Sequence, residues 1–73
     1  MAQEIVEVPI TGKVISVEAK VGDMVGEGDV ICFIESMKME NPILAPVAGK
    51  ITKIQISAGQ VVETGALIAT LEY

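Results

Sequence analysis

Apolar and polar residues change places step by step along two similar stretches of the chain. Ile15, Val17 and Ala19 fall on one side, and Ser16 and Glu18 on the other. Thr52, Ile54 and Ile56 stand against Lys53 and Gln55 in the same way. Alternation of this kind marks a half-buried β-strand. Val14 and Ile51 break it and are expected on the outer face, at a bend. In a second long strand of each stretch, Val30, Cys32 and Ile34 match Leu67, Ala69 and Leu71. These six are expected inward, with Glu35 and Glu72 outward. No helical period is present. Short strands separated by glycine breaks predict an all-β chain of two antiparallel sheets, stacked as a sandwich or a flattened barrel.

The similarity is an internal repeat. Residues 8–35 align with 45–72 at an offset of 37, with 8 of 28 positions identical. Three glycine pairs, Gly12/Gly49, Gly22/Gly59 and Gly28/Gly65, are expected at matched turns, because glycine enters positive φ without steric cost. Two copies are too few for a solenoid. They are expected to pack face to face as a pseudo-symmetric pair, so that residues 1–73 make one domain. Residues 41–44 also map onto 4–7, which adds one strand to the start of each copy. Under a pseudo-two-fold, a hairpin at Ser36–Met39 occupies one pole and the paired termini the other. Lys38 then stands alone at a tip.

Composition narrows the chemistry. Val and Ile number ten each against three Leu, a bias toward pleated surface. The chain has no His and one Cys, which excludes an internal disulfide, the usual zinc sites and His-based triads. Cys32 reads as a small core residue in a reducing compartment. Ten acids against five lysines give a net charge of −5, so no nucleic-acid partner is expected. The longest fully apolar run, Val30 to Ile34, is five residues. That is far below the roughly 20 needed to span a bilayer, so no membrane is expected. The first residues lack a signal-peptide pattern, and a cytoplasmic location is the expectation. Met1-Ala2 reads like a natural start of a free-standing protein. Gly26-Glu27-Gly28 lacks the ending of a phosphate loop, and Asp23, Glu27 and Asp29 lack calcium-loop spacing. No catalytic or metal-binding residue is assigned.

The segment Glu35-Ser36-Met37-Lys38-Met39-Glu40-Asn41, followed by Ala45-Pro46-Val47-Ala48-Gly49-Lys50, closely resembles the biotinyl domains of biotin-dependent carboxylases and decarboxylases, within the biotin/lipoyl attachment family. The resemblance covers nearly the whole chain, including the Gly22-Asp23 and Gly28-Asp29 pairs. It implies a flattened sandwich of two four-stranded antiparallel sheets with quasi-two-fold symmetry. It also implies a non-catalytic biotin carboxyl carrier, with biotin in amide linkage to Lys38 at an exposed hairpin. Met37 and Met39 would be recognition flanks, with Glu35 and Ser36 as hairpin context. The implied partners are a biotin protein ligase and the biotin carboxylase and carboxyltransferase subunits or domains.

An ordinary lysine, with a pKa of about 10.4, is neutral in roughly one molecule of two thousand at pH 7. Activation therefore falls to a modifying enzyme, which the resemblance implies is a biotin protein ligase using an acyl-adenylate, and the domain's task is presentation. Modification would remove one positive charge and take the formal charge from −5 to −6.

Two other readings stand beside this one. Lipoyl carriers look similar in size and symmetry but typically show Asp-Lys-Ala where this chain has Met37-Lys38-Met39. The flanks favour biotin. The chain has no room for the protruding thumb of bacterial acetyl-CoA carboxylase carriers, however, and has Ser36 where Ala is commoner. Lipoate on Lys38, installed by a lipoyl ligase, or dual attachment, is therefore the alternative. The third reading is an unmodified interaction module of the same fold, which a complete Met-Lys-Met argues against.

Overall fold

The computed structural model describes all 73 residues, and every regular element in it is a strand. In order they are β1 (Gln3–Glu7), β2 (Gly12–Val17), β3 (Met24–Val25), β4 (Val30–Ser36), β5 (Met39–Leu44), β6 (Gly49–Ile54), β7 (Val61–Val62) and β8 (Leu67–Glu72). They form two four-stranded antiparallel sheets, β1-β8-β6-β3 and β5-β4-β2-β7. Both sheets are open, so the architecture is a sandwich and the closed barrel is excluded. No helix is long and apolar enough to cross a membrane.

Residues 37 apart occupy equivalent strands, β1 with β5, β2 with β6, β3 with β7 and β4 with β8. The two copies do not pack face to face as separate halves, as the sequence suggested. Each sheet takes its two central strands from one copy and its two edge strands from the other. Reciprocal backbone bonds hold the exchange. Gly59 N donates to Val14 O at 2.7 Å and Val14 N to Gln60 O at 2.8 Å. At the symmetric place Gly22 N donates to Ile51 O at 2.8 Å and Ile51 N to Asp23 O at 2.9 Å. Such interlocking leaves neither copy a complete sheet of its own. It lets so short a chain close one core, where a 60-residue domain buries only about 60% of its unfolded surface.

That core holds 15 buried residues, all apolar, and no polar or charged side chain is buried. Its membership corrects the alternation. Cys32, Ile34, Ala69 and Leu71 are buried as expected, but Val30 is half-buried and Leu67 is exposed. Ile31 and Ile68 take their place at 0% exposure. Val14 and Ile51, expected outside, are also at 0%, while Ile15 is 39% exposed.

The reason is a set of four β-bulges. Register shifts leave Ile15 as the extra residue of β2, Ile31 of β4, Thr52 of β6 and Ile68 of β8. A bulge moves the following side chains to the other face, so a strict period of two fails across it. The four bulges are two symmetric pairs, 37 residues apart.

The glycine expectation also divides. Gly22 (φ 98°) and Gly28 (φ 90°), with partners Gly59 (89°) and Gly65 (92°), turn the chain in the left-handed region. Gly12 and Gly49 lie in strands instead, and close approach accounts for them. A Cβ on Gly12 would overlap the Glu35 carbonyl oxygen and stand 2.8 Å from Ile34 Cγ2. On Gly49 it would stand 2.7 Å from Glu72 O. The acids of the first turns are engaged locally. Asp23 Oδ2 accepts from Lys20 N at 3.0 Å, and Asp29 Oδ2 from Gly26 N at 2.8 Å.

Burial pushes the Cys32 thiol from the usual value near 9.0 up to about 11. An unfolded chain therefore ionises this thiol first as pH rises past about 9, and stability falls across the window from 9 to 11. A disulfide reagent at mildly alkaline pH is expected to spare the native chain and label it fully in denaturant. Rapid labelling of the folded protein would contradict the buried position.

Candidate functional site

The molecule is elongated, 37 × 18 × 16 Å, and its ends differ. At one end Ala2 and Tyr73 exchange both backbone bonds at 2.9 Å. At the other, β4 and β5 pair as Ile34↔Asn41, Glu35↔Glu40 and Ser36↔Met39. Shifting Ser36↔Met39 by 37 residues gives Tyr73↔Ala2. The two ends are thus the same structure, except that a turn joins consecutive strands at one and non-consecutive strands meet at the other.

Met37 and Lys38 make that turn, with φ of 54° and 65°. Positive φ at both central residues is the signature of a type I′ hairpin, whose twist matches the flanking strands and which favours Asn-Gly. For residues with a Cβ the left-handed region costs about 1–2 kcal/mol each. The ladders on either side hold the turn there. Non-glycine residues kept in such backbone concentrate at functional positions, and these two carry the motif.

The chosen side chains gather at this end. Lys38 is exposed at the apex, in none of the three surface grooves. Met37 is 86% exposed and Met39 66%, an unusual placement for large apolar groups. Ser36 is half-buried, and Glu35 and Glu40 are exposed and directly opposite each other, one step below the turn. The Glu35↔Lys13 register of β4 with β2 extends that row across the sheet. Like charges facing across a strand pair are unfavourable, and Lys13 brings an opposite charge to the same row.

Asn41 is the residue that sequence reasoning left without a role. Its Nδ2 donates to Ile34 O and to Met39 O, both at 3.2 Å, from a half-buried position in β5. Its repeat counterpart is Glu4, and that polar exchange was the only signal available.

Chemically, the site is one primary amine on a rigid, uncovered tip. Lys38 lines no groove, the nearby groove being formed by Lys13, Glu35 and Glu40 below the turn, and no cluster of acids is suited to a metal ion. Such a tip suits a covalently carried group that must reach into other proteins' active sites.

The family of biotin-requiring enzymes matches residues 4–71. The chain is 58% identical over 72 residues to a biotinylated protein TB7.3 homolog from Mycolicibacterium smegmatis, covering 99% of this chain and 100% of that one. It is 54% identical over 37 residues to the mitochondrial propionyl-CoA carboxylase alpha chain of Mus musculus, 51% of this chain and 5% of that relative. The chain therefore spans only a small part of the long carboxylase it matches. Among solved structures, urea carboxylase from Kluyveromyces lactis superimposes with a TM-score of 0.91 at 36% identity, covering 99% of this chain and 6% of that one.

Proposed function

Because the chain belongs to the biotin-requiring enzyme family, we propose that it is a biotin carboxyl carrier with biotin in amide linkage to Lys38. One observation carries the assignment of the residue: Lys38 is an exposed amine at the apex of a two-residue, positive-φ turn between two exposed methionines. The other lysines, Lys13, Lys20, Lys50 and Lys53, are also exposed, but they lie on strands and a loop, without that geometry.

The chain's own part is presentation. A biotin protein ligase offers the carboxyl group as an acyl-adenylate. The neutral Nζ of Lys38 attacks that carbonyl, a C–N bond forms, AMP leaves with the bonding pair and the amine loses a proton. The preformed turn loses little conformational freedom when the ligase docks. Met37 and Met39 offer polarizable surface that adapts to a partner. Biotin supplies a ureido nitrogen that accepts a carboxyl group at a biotin carboxylase site and yields it at a carboxyltransferase site. Tethering it to a compact tip raises its effective concentration at both. Reactivity belongs to the cofactor and catalysis to those partners. A compartment that supplies ATP and bicarbonate, such as the cytoplasm, fits this role.

Replacing Met37 by Asp and Met39 by Ala is expected to cut biotin incorporation at least tenfold while raising modification by a lipoyl ligase. Mass spectrometry after parallel reactions checks this, and unchanged biotinylation would remove the flanks from recognition. The carrier role is tested with labelled bicarbonate, ATP and biotin carboxylase. Label should appear on the biotinylated chain and not on the unmodified one, and its absence from the biotinylated chain would overturn the carboxyl-carrier reading.

A further inference from the structure

Resting on the reading of Lys38 as the acceptor, we infer that Asn41 is a positioning residue, holding the Met37-Lys38 turn in the left-handed conformation that presents the amine. Asn41 lies on β5, so its bond to Ile34 O ties that strand to β4, while its bond to Met39 O braces its own strand where the turn ends. A primary amide has two N–H groups, and both are used, one for each arm. The tie sits at the Ile34↔Asn41 pair, just below a turn whose two residues have φ of 54° and 65° and no glycine to ease them.

The fold contains its own control. At the other end of the molecule the equivalent position is Glu4, opposite Leu71. There β1 and β8 meet through Ala2 and Tyr73 without being consecutive in the chain, so no turn joins them. An ionised carboxylate has no N–H to give to two carbonyls. The donor amide therefore occurs at the one of the two equivalent positions where a strained turn must be kept closed.

Asn41→Ala removes both bonds. Asn41→Asp keeps the shape but turns oxygens toward the two carbonyls. If only a fraction of turns then holds the presenting conformation, the ligase meets less competent substrate, and the loss appears in KM with kcat unchanged. A fall of roughly tenfold in kcat/KM is expected for Asn41→Ala, and at least as much for Asn41→Asp. NMR couplings and Overhauser effects that report φ at Met37 and Lys38 should show both variants populating other conformations, while the core amides stay protected. Biotinylation within twofold of the parent chain together with unchanged φ at the turn would overturn the inference, whatever happened to the melting temperature. If the parent chain is not biotinylated at all, the proposed function fails, and the NMR comparison still decides whether Asn41 holds the turn.

Discussion

Lys38→Ala is expected to abolish biotin incorporation and to leave the domain folded. The amide needs Nζ, and the four remaining lysines lie outside the turn. All four are exposed, as Lys38 is, so the variant asks whether geometry or mere accessibility selects the acceptor. Stability should barely change. Exposed substitutions are usually within about 0.5 kcal/mol, or roughly 2–4 °C for a domain of this size. Lys38→Arg keeps the charge and should fail equally, separating electrostatic docking from amide chemistry. Intact mass and a thermal melt on each variant settle the matter. Biotin on another lysine would show that the ligase reads something other than the turn, and a large loss of melting temperature would contradict an uncovered tip.

The second large effect lies in the core. Ile51→Ala should destabilise by about 2–5 kcal/mol, because Ile51 is at 0% exposure and its neighbours collapse only partly into the space. Small domains hold roughly 0.05–0.15 kcal/mol per residue, so this is a large share of the total, and a drop of at least 10 °C is expected. Ile15→Ala removes the same atoms from a residue that is 39% exposed and should cost about 1 kcal/mol or less. Simple alternation along the strands predicts the opposite order. Denaturant titration of both variants distinguishes the two, and equal losses would refute the bulge at Ile15.

Those bulges show where the sequence stopped being legible. The offset of 37 and the outward Glu35 and Glu72 could be read directly, because identity and charge do not depend on the pleat. An extra residue in a strand leaves no mark on composition, so alternation alone puts Val14 and Ile51 outside and Leu67 inside. The exchange of edge strands between copies was equally silent, since it is set by backbone bonds such as Gly59 N to Val14 O. Gly12 and Gly49 announced a special backbone, but not whether the reason was a turn or a close neighbour.

At the hairpin the motif was readable as a resemblance. Its geometry was not, because Met-Lys is no turn signal and positive φ appears only in the folded backbone. Asn41 escaped notice because its bonds go to main-chain carbonyls, which every sequence has.

A carrier of this kind holds one group on one residue. Incubation of the chain with biotin protein ligase, biotin and ATP, followed by intact and fragment mass spectrometry, tests this directly. The expected result is a single biotinyl increment on Lys38, with Lys13, Lys20, Lys50 and Lys53 unmodified. No increment with a ligase proven active on another substrate, or an increment on a different lysine, would contradict it.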